Sequence, residues 1–372
     1  MTLSAEITRN ARPYLHGPEF EAAAEAMRVG QYGHSETTER FEAELARYLG
    51  VPDVVAVASC TAALHLSLLV ADVGPGDEVV VPSQTFCATI QAIISVGASP
   101  RFVEVSPRTS CVDGRAVGDA LTPATRAVLP VLYGGRAVDL SAIRPVLQER
   151  RITVIEDAAH AFGSRTGDGP VGATGDLTCF SFGPIKNLTC VEGGAVVPRN
   201  PDEADALREL RTLGITQSQA ERIRTTTYDV ARHGLRATLS AVHAAVGIVQ
   251  LQQFPAVAWR RQELWRAYAA GLARIGVDVV DVDIDRTVPF NCVVRIPQRD
   301  QVHAILTSMG VGAGVHYPPN HLQPAFAPWR RSLPATEQLG REILSLPFHP
   351  AMTTTDAADV VSLLDGALEE VR

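Results

Sequence analysis

From Val51 to Val197 short apolar runs alternate with stretches of helical periodicity, and this rhythm limits what the chain can fold into. Asp53–Ala58, Asp77–Pro82, Pro100–Val105, Ala127–Leu132, Arg151–Ile155, Leu177–Phe182 and Ala195–Val197 read as strands. Helices are expected from Ser59 to about Leu69, over Arg115–Leu121 and over Leu140–Glu149. Strands separated by helices pair in parallel through right-handed crossovers, so the expected fold class is α/β, with helices on both faces of a mostly parallel sheet. Ligands of such sheets lie outside the carboxyl ends of the strands. No Gly-x-Gly-x-x-Gly follows the first strand, so a dinucleotide fold has no support.

The flanking segments complete the outline. Gly17–Arg28 and Thr37–Leu49 have helical patterns, as do Asp202–Leu213 and Ala241–Leu251. The polar, Arg/Thr-rich stretch Gly214–Thr227 reads as a mobile loop. Pro255 is expected to end or kink the Ala241 helix, because its ring clashes with the preceding turn and it lacks an N–H. A charged helix over Arg260–Ala273 follows. We therefore expect a large domain over 1–255 and a smaller α+β lobe over 256–372. That lobe should hold strands near Val277–Val282 and Asn291–Ile296, helices at Asp300–Met309 and Ala335–Leu344, and a last helix at Thr354–Glu370.

One lysine occurs in the whole chain, Lys186, in Cys179-Phe-Ser-Phe-Gly-Pro-Ile-Lys-Asn-Leu-Thr-Cys-Val-Glu-Gly-Gly194. The strand before it is broken by Gly183-Pro184, which sets the lysine on a turn at a strand end. A free lysine is an inert ammonium at neutral pH until its site perturbs it, whereupon it can condense with an aldehyde. Upstream, Glu156-Asp-Ala-Ala-His160 places Asp157 at the carboxyl end of another strand. Alone, Asp157 reads equally well as a helix N-cap. Beside Lys186 it reads as the carboxylate partner of a protonated ring nitrogen.

Glu156-Asp-Ala-Ala-His160, Phe180-Ser-Phe182, Lys186-Asn-Leu-Thr189 and Glu192-Gly-Gly194 resemble the DegT/DnrJ/EryC1/StrS sugar aminotransferases over nearly the whole chain. The resemblance implies the fold type I of pyridoxal-phosphate enzymes, with a seven-stranded type of sheet. It implies pyridoxal 5'-phosphate on Lys186, passing through pyridoxamine 5'-phosphate between two half reactions. Asp157 would support the ring nitrogen, and Phe86, from Ser83-Gln-Thr-Phe-Cys-Ala-Thr89, would stack on the ring with His160. Ser59-Cys60-Thr61-Ala-Ala-Leu64 opens a helix whose free N–H groups favour a phosphate. Cys60, Thr61 and Ser181 are its candidate contacts, with cysteine standing where the family has glycine. Arg236 occupies the place of a family asparagine that reaches the partner chain's phosphate, so a homodimer with shared sites is implied. Tyr32, His34, His316, Tyr317 and His321 are substrate-site candidates by the same likeness.

The implied partners are a nucleotide keto sugar and L-glutamate. Lys186-Asn-Leu-Thr is closer to 4-aminating members than the Lys-Asn-Leu-Gly of 3-aminating ones, so the expected acceptor is a 4-keto-6-deoxyhexose. Aminocyclitol or 3-keto-sugar transamination is the near alternative. A dehydratase of the same fold carries histidine in place of Lys186, and a non-catalytic cofactor-binding regulator is the third class. A net charge of -8 argues against a general nucleic-acid surface. No apolar run is long enough for a membrane span, and Met1–Pro13 lacks a signal-peptide core, so a cytoplasmic location is expected. The six cysteines are scattered without metal-ligand spacing, and no metal is expected.

Overall fold

The computed structural model describes residues 4–30, 32–217, 219–222 and 224–372. Two helices precede the sheet, α1 (Pro18–Val29) and α2 (Glu36–Leu49). Ser35 caps α2 with a capping box, and glycines in left-handed conformation end both helices. The alternating part then runs β1 (Val55–Val57), α3 (Cys60–Val70), β2 (Glu78–Pro82), α4 (Cys87–Ser95), β3 (Ser99–Val103), α5 (Gly114–Ala120) and β4 (Thr125–Val128). It continues with α6 (Arg144–Glu149), β5 (Thr153–Asp157), β6 (Leu177–Ser181), β7 (Gly194–Val197) and α7 (Pro201–Leu210).

Seven strands form one sheet in the order β1-β7-β6-β5-β4-β2-β3. Pairings from β3 across to β6 are parallel, whereas β7 runs antiparallel to both β6 and β1. The expected α/β class and mostly parallel sheet are therefore what the chain adopts. Alternate strand residues face opposite layers. Val79, Val81, Ile155 and Cys179 join the core under α3 and α4. Val80 and Val154 join another core on the opposite face, and Phe180 and Ala195 join a third with α2.

Beyond the sheet, the described part of the expected loop at 214–227 includes a short helix, α8 (Gln219–Arg222). Its base is tied by backbone bonds from Thr216 to Asp229 and from Ala231 to Gly214. The largest departure from expectation is α9, a single helix over Ala241–Arg274 with Pro255 inside it. Pro255 costs the helix a hydrogen bond. The helix is buried on either side of it: Leu251 and Phe254 face the large core, and Leu264, Trp265, Tyr268 and Leu272 face the small one. The proposed division into 1–255 and 256–372 thus passes through the middle of a continuous helix.

The small lobe has β8 (Asp278–Val279), β9 (Cys292–Arg295), α10 (Arg299–Ser308), α11 (Pro334–Glu342), β10 (Ile343–Leu346) and α12 (Thr354–Glu370). Its three strands form an antiparallel sheet, β10-β9-β8. The segment from Ile7 to Asn10 is part of it. Ile7 is fully buried in the lobe's core, and Asn10 donates to the carbonyls of Ser345 and Leu346. No helix of the described residues is long and apolar enough to cross a membrane.

Gly194 is where β7 passes closest to the start of α3. A Cβ there would lie 2.7 Å from the Cys60 nitrogen and 2.8 Å from the Phe180 carbonyl oxygen. These are backbone atoms and cannot swing away. We expect Gly194→Ala to lower stability by about 2 kcal/mol or more in urea denaturation. Gly167→Ala, where a Cβ meets nothing within 4 Å, should stay within about 0.5 kcal/mol of the parent.

Candidate active site

β5 and β6 are neighbours in the middle of the sheet, and their carboxyl ends open into a cavity of about 190 Å³. Cys60, Thr61, Phe86, Asp157, His160, Ser181, Lys186 and Tyr317 all line it. Residues far apart in sequence are thus gathered where the fold predicts a ligand.

Asp157 is the last residue of β5, on the face covered by α3 and α4. No helix follows it directly, so it is not a helix cap. One carboxylate oxygen accepts the Thr89 hydroxyl at 2.7 Å and the other the Ala159 N–H at 3.1 Å. Burial pushes its pKa up, and these two bonds, with the charge of Lys186, pull it back. It has no ion-pair partner within 4 Å among the described residues, so a buried carboxylate faces the cavity without a cation. Such a group accepts a protonated ring nitrogen readily.

Lys186 is half-buried, its open side toward the cavity. Its Nζ lies 4.5 Å from the centroid of the Phe290 ring. Burial lowers the pKa of the ammonium, opposed by the nearby Cys60 and Asp157 and assisted by Arg261. A lowered pKa raises the share of free amine, the form that attacks an aldehyde. Asn187 anchors the turn by donating to the Val288 carbonyl at 2.9 Å.

His160 stacks on Phe290, with ring centroids 3.9 Å apart, and its Nε2 lies 3.2 Å from the Tyr317 hydroxyl. Burial holds its pKa well below the usual value, so it is a neutral imidazole. Its Nδ1 is buried with no hydrogen-bond partner among the described residues. Phe86 is the N-cap residue of α4, and it is 56% exposed at the cavity rim. At the far end lies the start of α3. Ser59 caps this helix through the Ala62 N–H, and Cys60 and Thr61 line the cavity wall, with the Cys60 thiol donating to the Cys179 carbonyl at 3.8 Å. With Ser181 opposite, this end offers N–H and hydroxyl donors to an anion. A cationic amine, an unpaired carboxylate and an anion-binding helix start together fit pyridoxal phosphate.

Other expected residues lie elsewhere. His321 is fully buried and does not reach the cavity. Its Nδ1 lies 2.6 Å from the Ser83 hydroxyl and its Nε2 3.2 Å from Glu337. Its role is to clamp, together with Asn320, the 83–85 segment that leads into Phe86. His316 stands beside Tyr317, bonded to Ser345, and burial lowers its pKa to about 4. It does not line the cavity. Tyr32 is exposed and donates to the Met27 carbonyl. His34 lies near Arg211 and Glu39, its pKa lowered to about 4 by burial and then by Arg211. Neither lines this chain's cavity. Arg236 is exposed and outside it, bridged through its backbone to Thr212.

Residues that the sequence analysis did not single out also build the site: Thr85, Thr89 and Glu192 line it, and Phe290 backs Lys186 and His160. The Thr-x-x-x-Thr spacing was visible in the sequence, although Thr85 precedes α4 and only Thr89 lies on it. Nothing local marks Phe290.

A family model, the DegT/DnrJ/EryC1/StrS aminotransferase family, matches residues 13–365. The chain belongs to this family. Its structure resembles the aminotransferase TlmJ of Streptoalloteichus hindustanus at 33% identity and a TM-score of 0.91, covering 98% of this chain and 99% of that one. DesV of S. venezuelae matches at 34% identity and a TM-score of 0.88, covering 96% and 98%. Spr1654 of Streptococcus pneumoniae, described as a sugar aminotransferase and solved in a PLP form, matches at 26% identity and a TM-score of 0.90, covering 97% and 98%. The chain is a pyridoxal-phosphate-dependent aminotransferase.

Glu156, next to Asp157, faces the opposite side of β5. It accepts from Thr178 at 2.7 Å and from Thr174 at 3.1 Å. Burial, with the charge of Asp176 adding to it, pushes its pKa up to about 7. Between the ordinary glutamate value and 7 the native chain therefore holds more protons than the unfolded one. Stability must fall as pH rises through that window, by about 3 kcal/mol at most. Glu156→Gln keeps an acceptor for both hydroxyls and removes the titration. Its melting temperature should exceed the parent's at pH 8.5 and match it closely at pH 5.

Proposed function

We propose that this aminotransferase moves an amino group from L-glutamate to a nucleotide-linked 4-keto-6-deoxyhexose, giving the 4-amino-4,6-dideoxy sugar. The observation that carries the chemistry is the pairing of Lys186 with the cation-free Asp157 carboxylate across one cavity. The 4-keto assignment rests on Lys186-Asn-Leu-Thr189, and the donor on the family likeness.

Bound pyridoxal phosphate supplies an aldehyde that carries the amino group and a ring that takes up electrons. The chain's residues do the rest. Lys186 would hold the group, and its amine, when free, would accept the proton from the substrate carbon and pass it to the group's aldehyde carbon as a positioned base and acid. The Asp157 carboxylate stabilises a protonated ring nitrogen. Phe86 fixes the ring plane, which selects the bond that breaks. Cys60, Thr61, Ser181 and the start of α3 hold the phosphate. Tyr317, bonded to the neutral His160, presents a hydroxyl to the substrate side. Arg236, exposed on its own chain, is assigned to the partner's site in a homodimer, where its forked donors suit a phosphate.

Lys186→Ala should still take up the cofactor, because its other contacts are intact, yet complete no repeated turnover. Absorbance titration and product counting check the two halves. Nucleotide-linked 4-keto and 3-keto sugars and a keto-cyclitol, each assayed with glutamate, test the acceptor. Preference for a 3-keto sugar would displace the 4-keto assignment and leave the enzyme class standing.

Mixing Lys186→Ala with Arg236→Ala protein under subunit exchange tests the shared site. A hybrid then carries one intact site and one doubly altered site, so activity should return. No recovery despite proven exchange, with each parent impaired, would place Arg236 within its own chain.

A further inference from the structure

α4 contributes more than the ring of Phe86. Its first turn also carries Thr89, whose hydroxyl donates to Asp157 at 2.7 Å across 68 residues of sequence. Behind it, the Thr85 and Thr89 hydroxyl oxygens lie 2.9 Å apart. Thr85, Thr89 and Asp157 are 2%, 1% and 4% exposed, so water does not compete for these bonds.

The arrangement is directional. A carboxylate only accepts, so the Thr89 proton points to Asp157 and the Thr89 oxygen is free to accept from Thr85. A helical threonine often turns its hydroxyl back on the carbonyl four residues earlier. Here that carbonyl, of Thr85, accepts from Asn320 instead at 2.6 Å, and Thr89 reaches across the site. Thr89 is also the third residue of α4, so Asp157 sits against the positive end of that helix. Hydroxyl and helix end together favour the charged carboxylate where burial opposes it.

We propose that Thr89, backed by Thr85, is a positioning residue that keeps the Asp157 carboxylate ionised and aimed at the cofactor ring. The inference rests on the pyridoxal-phosphate reading of this cavity. It makes α4 one preformed block, in which the ring-stacking side chain and the group that steers the ring's counter-charge share a single turn.

Thr89→Val removes the hydroxyl and keeps the shape, and Thr89→Ser restores it. Four quantities are measured: the melting temperature of the apoprotein, the dissociation constant for pyridoxal phosphate, the pH dependence of the bound cofactor's absorbance, and kcat. A hydrogen bond to a charged group is worth enough that Thr89→Val should weaken cofactor binding and lower kcat by about 10-fold or more each. Thr89→Ser should stay within about threefold of the parent. The Val variant's absorbance should change at a different pH. If the valine methyl disturbs the fold, Thr89→Ala carries the same comparison.

The deciding arm is a double-mutant cycle with Asp157→Asn. A residue acting through Asp157 has nothing left to hold in that background, so adding Thr89→Val should change neither quantity by more than about twofold. Full additivity there, or parent-like binding and kcat in Thr89→Val, would overturn the proposal. A parent apoprotein that takes up no pyridoxal phosphate would overturn the cofactor reading itself, a distinct result.

Discussion

A buried carboxylate at the end of β5 and a half-buried amine on the turn after β6 face one cavity, and most of the surrounding structure makes that pair tolerable. Taking either charge out of water is costly, and each must find compensation nearby. Asp157 finds it in the Thr89 hydroxyl, the Ala159 N–H and the field of Lys186. Lys186 is opposed by its own burial and steadied by Asp157, Cys60 and the face of Phe290. Neither charge is fully neutralised by the protein, and this residual imbalance is what a ligand with a cationic ring nitrogen and an aldehyde carbon answers.

The small lobe holds this pair in place from the other side. Tyr317 and Phe290 reach His160, and Asn187 from the lysine turn bonds the Val288 carbonyl. Asn320 and His321 clamp the segment before Phe86. The long helix α9 contributes to both cores, and Ile7 is buried in the second. The lobes therefore share the site's walls. Arg261, buried on α9 among Pro289, Phe290 and Phe348, lowers the Lys186 pKa from behind.

Much of this was legible in the chain. The alternating apolar runs placed each strand of the seven-stranded sheet to within a few residues, because buried strands need β-branched, apolar side chains whatever their neighbours. Asp157 and Lys186 were legible because each stands at the end of such a run. Pro255 misled, since the backbone penalty it imposes is local and the burial that outweighs it is not. His321 misled in the same way: its motif names a residue near the site, while two side chains from elsewhere decide that it faces inward.

Sequence by itself determined the fold class, the strand ends that bear chemistry, and the residue types the chemistry requires. These follow from local patterns, periodicity and the uniqueness of one lysine. Tertiary structure alone decided which hydroxyl holds Asp157, which ring backs Lys186, and which of five substrate candidates lines the cavity, namely Tyr317. Each of those contacts joins residues at least 68 positions apart in sequence, on elements whose spacing depends on how two cores pack. No local pattern carries that information, because the free energy that sets it is the sum of burial across the whole molecule.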